Sequence, residues 1–201
     1  MTSDTSRRSF MLSALAVAGT MLAPRPARAL TEARARALVS QVVSDINDAI
    51  DSSGSQAAMI REFERIFGRY ADVSIIARST LGAVARRVSN AQMRSYTEAF
   101  RGYVARKYGK RFNEFRGGRI EVKGVREVKS WHEVVSTAYL PGQSPFEVRF
   151  LVSDRSGQDK FFDMFVEGIS LRLSEREEIG AMLDRRNGNV DALIQDLRNA
   201  G

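Results

Sequence analysis

One histidine, no cysteine and a scatter of serines and acids are all this chain offers for chemistry. Thiol nucleophiles, thiolate metal sites and disulfides are excluded, and a single imidazole excludes a multi-histidine metal site. A histidine-based catalytic unit would have to be built on His132, beside Trp131, with Asp163 as the carboxylate near it. The place of His132 in a turn before a strand predicts a surface or partly packed ring instead. Asp45, Asp48 and Asp51 recur every three residues and could pair for acid–base work. The same spacing follows the polar face of a helix, so these three are expected to face solvent. Gly117-Gly118 and Glu167-Gly168 match neither a phosphate loop nor a dinucleotide fingerprint. No serine stands in a G-x-S-x-G setting. The reading assigns no catalytic residue, no metal ligand and no cofactor.

The first 29 residues read as an export signal. Arg7 and Arg8 precede Phe10, an apolar run spans Met11 to Ala23, and Ala27-Arg28-Ala29 gives a small-x-small end with cleavage expected after Ala29. The arginine pair resembles the twin-arginine type. The run is too short for a membrane span, and no second stretch reaches that length, so a soluble periplasmic domain of residues 30 to 201 is expected. The signal holds four of the 31 Lys and Arg and one of the 24 Asp and Glu, so the remainder carries 27 against 23. A net of +4 on 172 interspersed residues is no nucleic-acid signature. That length suits one domain with a real core.

The elements that must position any site follow from periodicity. Ala35, Leu38, Val39, Val42, Val43, Ile46 and Ile50 recur at helical spacing between Thr31 and Ser52-Ser53-Gly54. Ser55 opens a second helix with Met59, Ile60, Phe63, Ile66 and Phe67 on one stripe. Asp72 caps a short third helix that stops at Leu81-Gly82, and Ser89 caps a long one through Met93, Tyr96, Phe100, Tyr103 and Val104. At Gly117-Gly118 the period changes to two. Strands are expected at Arg119–Lys123, Glu133–Leu140, Phe146–Ser153 and Lys160–Leu171, with Gly168 a bulge in the last. Ser174-x-x-Glu177 reads as a capping box opening a helix to Arg185, and Asn189 caps a final helix. The class is α+β: helices at both ends of an antiparallel sheet of about four strands, lying across its covered face.

Two segments carry a resemblance. One runs from Tyr70-Ala71-Asp72-Val73 through Leu81-Gly82 to Ser89-Asn90-Ala91-Gln92 and Tyr108-Gly109. The other is Phe162-Asp163-Met164-Phe165-Val166-Glu167-Gly168-Ile169-Ser170-Leu171, followed by Gly188 to Leu197. The leucine-glycine pair, the Ala-Gln opening of the long helix and the D-x-x-x-E-G-[IV]-S strand are similar to the MlaC family, also called toluene-tolerance or phospholipid-binding proteins. Two positions depart from the family pattern. No aromatic residue follows Leu81-Gly82 within Ala83–Arg87, and Lys160-Phe161 stand where a tryptophan often precedes the last strand.

The resemblance implies a monomeric periplasmic carrier without enzymatic activity. It would hold phospholipid tails in an apolar cavity between a twisted antiparallel sheet and the helices. It further implies shuttling between an outer-membrane lipoprotein–porin complex and an inner-membrane ABC lipid transporter complex, with hopanoids among the lipids of some relatives. On that reading, strand parity and helix stripes place Val73, Ile76, Phe100, Tyr103, Val104, Val148, Phe150, Val152, Met164 and Val166 against the lipid. Two rivals stay open on the residues alone: a small periplasmic hydrolase or isomerase using His132 and Asp163, and an envelope interaction module with a filled core. Replacing both arginines of the pair with lysine is expected to leave unprocessed precursor in the cytoplasm, read by fractionation and immunoblot. Normal processing of Arg7→Lys/Arg8→Lys would point to an ordinary secretory route.

Overall fold

Short polar side chains start the helices by taking up backbone N–H groups that have no intrahelical partner. Ser55 Oγ accepts from the N–H of Ala58, Asp72 Oδ1 from Ile75, Ser89 Oγ from Gln92 and Asn189 Oδ1 from Ala192, at 3.1–3.2 Å. Gln92 returns a carbonyl oxygen to the N–H of Ser89, completing a capping box. The structure is a computed structural model. It describes residues 29–52 and 54–201, the side chains of residues 112 and 113 excepted. The arginine pair and apolar run of the expected signal lie outside the described residues.

In chain order the elements are α1 (Glu32–Ser52), α2 (Gln56–Tyr70), α3 (Val73–Thr80), a 3-10 turn at Gly82–Arg86, α4 (Asn90–Gly109) and a second 3-10 turn at Lys110–Phe115. There follow β1 (Arg119–Val128), β2 (Trp131–Tyr139), β3 (Phe146–Ser153), β4 (Lys160–Val166), β5 (Ile169–Ser170), α5 (Leu171–Arg185) and α6 (Val190–Asn199). The strands form one antiparallel meander in the order β1-β2-β3-β4-β5. The helices cover one face of it, as an α+β class requires. On the other face Glu133 bridges Arg126 and Arg149, and the Arg149 guanidinium lies over the Phe165 ring at 4.7 Å.

The covered face is apolar. Val134 stands opposite Phe150, which stands opposite Met164; Val148 stands opposite Val166. A register shift between Leu151 and Val152 leaves Phe162 unpaired and sets Phe161 opposite Val152. The bulge thus brings both Phe161 and Met164 to the helix side of β4. The backbone N–H of Asp72 donates to the Phe161 carbonyl at 2.8 Å, tying the α2–α3 junction to that strand. At the far side, Gly109 lets α4 approach α2: a Cβ there would stand 2.9 Å from the Ile60 Cα.

Four expectations need correction. Residues 160–171 are not one bulged strand. Glu167 (φ 51°) and Gly168 (φ 82°) form a two-residue turn between Val166 and its partner Ile169, so a fifth strand exists. Positive φ at both central residues is the type I′ signature that matches strand twist. The last strand-to-helix boundary also moves. Ser170, not Ser174, caps α5, because its Oγ accepts from the N–H of Leu173 at 3.1 Å; Ser174 sits inside the helix and donates to the Ser170 carbonyl. His132 lies within β2 rather than in a turn, and it is buried. The strand begins earlier because Lys129 takes positive φ (56°) and makes the turn two residues sooner. Finally, β1 extends to Val128 rather than Lys123, continuing through an irregularity between Val122 and Gly124.

The interior away from the sheet is close-packed around Tyr96, Ile179, Leu193 and Leu197. The Tyr96 hydroxyl donates to Thr80 Oγ1 at 2.7 Å, since Thr80 gives its own proton to the Ala77 carbonyl. Leu193→Ala is expected to cost about 2–5 kcal/mol in urea unfolding, as a buried leucine truncated in a packed core does. A loss well under 1 kcal/mol would show that α6 is loosely packed.

Candidate functional site

Between the covered face and the helices lies a cavity of about 370 Å³, within the usual range of ligand pockets. Its walls are apolar. Helices α1 and α2 supply Val42, Ile46, Phe63, Ile66 and Phe67; α3 and α4 supply Ile76, Phe100, Val104 and Tyr108; the sheet supplies Ile120, Val148, Phe150, Phe161, Met164 and Val166. Phe150 and Phe161 meet edge-on at 5.7 Å, a favoured geometry for buried rings. Polar groups gather at one end. Arg111, Glu114, Gln143 and Glu167 are exposed there and form a charged mouth.

Two buried carboxylates border this cavity. Asp163 is 2% exposed and fully committed. It accepts from the Met164 N–H at 2.8 Å, Ser170 Oγ at 2.8 Å, the Arg172 N–H at 3.1 Å and Arg172 Nε at 3.3 Å. Arg172 also donates through Nη1 to Ser79 Oγ at 2.7 Å, which joins α5 to α3. Glu175, 3% exposed, belongs to a seam between α4 and α5. Its Oε1 accepts from Lys107 Nζ at 2.7 Å and from the Tyr108 hydroxyl at 2.5 Å. Lys107 also bridges to Glu178, which accepts the Tyr103 hydroxyl proton at 2.6 Å.

Burial, then the hydrogen bonds to these carboxylates, push the Tyr103 and Tyr108 hydroxyls above the ordinary phenol range. Burial alone would raise the Glu178 carboxyl. The hydrogen bonds from Lys107 and Tyr103 outweigh it and hold that carboxyl below its ordinary value.

The geometry is that of a mostly apolar chamber with an exposed charged mouth and buried, paired charges on part of its wall. The family model described as MlaC protein matches residues 36–199. The chain belongs to the MlaC family. Seven solved chains match in structure. One is the phospholipid-binding protein from Ralstonia solanacearum, solved in complex with a phospholipid. It has a TM-score of 0.71 at 19% identity, over 82% of this chain and 95% of that one. Among curated proteins nothing matches.

The D-x-x-x-E-G-[IV]-S element that resembles the MlaC family has a plain physical meaning here. Asp163 at its start bonds Ser170 at its end, and the Glu167-Gly168 turn between them makes that closure possible. Of the ten residues expected against the lipid, Ile76, Phe100, Val104, Val148, Phe150, Met164 and Val166 stand on the cavity wall. Three do not. Tyr103 turns toward α5 and Glu178, because only residues at i, i+4 and i+8 from Phe100 face the sheet. Val152 is buried opposite Phe161, which lines the cavity in its place. Val73 borders a separate surface depression with Arg78, Arg94 and Arg101.

The aromatic residues of α2 stand on the wall although no lipid-facing role was expected of them. Their stripe is plain in the sequence, but a stripe serves core and cavity alike. Glu175 gives no such signal, since a glutamate inside a helix reads as a solvated residue.

The structure does not bring His132 and Asp163 together. Strand β3 lies between their strands, and the oxygens of Asp163 are taken by Ser170, Arg172 and the Met164 N–H. Asp48 and Asp51 are exposed as expected, while Asp45 accepts from Tyr70 and Arg65 between α1 and α2. Among the described residues no group of three or more His, Cys, Asp or Glu could hold a metal ion, and no helix is long and apolar enough to cross a membrane.

The lowered Glu178 carboxyl sets a pH dependence. Its contribution to stability is complete above the ordinary carboxylate pKa of about 4.3 and is lost as pH falls through the lower folded value. The urea midpoint should therefore fall on acidification below about pH 4.5, and Glu178→Gln should flatten part of that slope. An unchanged slope in Glu178→Gln would remove Glu178 from the seam.

Proposed function

We propose that this chain is a periplasmic phospholipid carrier that binds lipid without transforming it. One observation carries the reading: a chain of the MlaC family encloses a cavity whose wall is mostly aromatic and aliphatic, with an exposed charged mouth. The phospholipid held by the protein of similar fold supports it. The physics fits. Two acyl chains carry about 25 to 30 methylenes, so at ~0.8 kcal/mol each free lipid in water is unfavourable by about 20 kcal/mol. A bilayer offers nearly the same gain, so a carrier has to match it with apolar wall and needs no nucleophile. The charged mouth leaves the headgroup at the surface.

The partners follow from the family resemblance: an outer-membrane lipoprotein–porin complex at one end of the route and an inner-membrane ABC lipid transporter complex at the other. The arginine-pair signal, cleaved after Ala29, would deliver the domain to the periplasm as a monomer. Near-balanced charge on residues 30–201 argues against a nucleic-acid partner. A hydrolase built on His132 draws no support from the separation of His132 and Asp163.

Bulk placed in the cavity tests the reading. In a packed core an added ring costs typically about 1–3 kcal/mol through strain; in a cavity filled by lipid it meets few protein atoms. Val148→Trp is expected to keep the urea midpoint of delipidated protein and to lower bound lipid in solvent extracts. A variant that unfolds while its folded fraction still carries full lipid would contradict the lipid-facing role of Val148.

A further inference from the structure

Between Asp72 and Glu98 the chain carries four arginines and no acidic residue. They are Arg78, Arg86, Arg87 and Arg94, and all four are exposed. They hold the whole net charge of residues 30–201: without them, 27 basic side chains against 23 acidic become 23 against 23. Elsewhere arginines meet carboxylates, as Arg34, Arg65, Arg126 and Arg186 do. Among the described residues these four pair with none. A run of one sign destabilises the fold by self-repulsion, and a partner of opposite sign offsets that cost.

Two of the four line a surface depression of about 520 Å³. Gly68 stands there on α2, Val73 and Arg78 on α3, and Met93, Arg94 and Arg101 on α4. Glu98 also lines it, and Arg101 gives Nε to Glu64 at 3.0 Å. Arg86 and Arg87 stand at the end of the 3-10 turn that joins α3 to α4. Guanidinium forks take carboxylates two hydrogen bonds at a time. Val73 and Met93 are half-buried, so the depression also offers apolar surface. A bilayer is flat and does not enter a hollow between helices. A chain segment does: its carboxylates reach Arg78 and Arg94 while an apolar side chain beside them covers Val73 and Met93. The site is also remote from the cavity mouth. Arg94 lies near the start of α4 and Arg111 just past its end. At about 1.5 Å per residue, roughly 22 Å of helix separate Arg94 from Gly109.

We propose that this depression docks an acidic, partly apolar segment of a partner protein and leaves the cavity mouth uncovered. The docking does not depend on what the cavity holds. The test is fluorescence anisotropy of a labelled peptide of glutamates and aspartates around a central leucine, titrated with the purified protein. The matching lysine peptide and phosphatidylglycerol vesicles are the other probes. Arg78→Glu/Arg94→Glu is set against Arg155→Glu/Arg198→Glu, which changes net charge equally at exposed residues outside the depression.

The wild type should bind the acidic peptide and not the lysine peptide. Arg78→Glu/Arg94→Glu should weaken that binding at least about tenfold, the worth of one hydrogen bond between charged groups, with its urea midpoint kept. Arg155→Glu/Arg198→Glu should bind nearly as the wild type does. Equal loss in both double variants overturns the inference, since the attraction is then to net charge alone. A wild type that binds no acidic peptide overturns it as well. Vesicle binding that Arg78→Glu/Arg94→Glu abolishes, without peptide binding, replaces the protein partner with an anionic membrane and overturns it too. Arg78→Gln/Arg94→Gln decides the matter where the charge reversal does not fold.

Discussion

A single buried carboxylate holds the cavity end of this molecule together. Asp163 sits in β4 and accepts hydrogen bonds from its neighbour's N–H, from Ser170 at the end of β5 and twice from Arg172 at the start of α5. A buried charge is stable only when such donors surround it. That need fixes three things together. The chain must reverse at Glu167-Gly168, Ser170 must stand where it can also cap α5, and Arg172 must point inward, where its other arm reaches Ser79 on α3. The N-terminal turn of α5 is thereby set against the cavity, bringing Leu171, Arg172 and Glu175 to its wall.

The rest of the interior divides into a packed part and an unfilled part. Around α6 the leucines are fully buried, and Tyr96 has its hydroxyl satisfied by Thr80. Toward the sheet, large rings line a space that they do not fill. The β4 bulge matters here. Without the extra residue at Phe162, regular alternation could not place both Phe161 and Met164 on the helix side. The polar seam of Lys107, Glu175, Glu178, Tyr103 and Tyr108 links α4 to α5 along one edge of the same space. An apolar wall closed partly by hydrogen bonds suits a chamber whose contents change.

What the sequence made legible is what is decided locally. Ser55, Asp72, Ser89 and Asn189 cap the helices that the sequence pattern assigns to them, because a cap needs only the next three residues. The end of the sheet was not legible in that way. The sequence reading puts a bulge at Gly168 and the cap of the next helix at Ser174, whereas the chain turns at Glu167-Gly168 and Ser170 is the cap. The choice falls to Asp163, seven residues before Ser170. His132 misled because a polar residue on the covered face of β2 breaks the apolar alternation. The cavity wall was partly legible. Phe100 and Val104 lie on the stripe that faces it, yet their neighbour Tyr103 turns to α5. No periodicity distinguishes side chains that touch one another from side chains that surround a space.

The central claim is that this space holds a lipid, and native mass spectrometry of the purified protein after incubation with phospholipid vesicles tests it most directly. The account predicts a folded species heavier than the bare chain by the mass of one diacyl phospholipid, with that lipid recovered intact in an organic extract. A folded protein that shows only the bare mass and yields no lipid on extraction would contradict it.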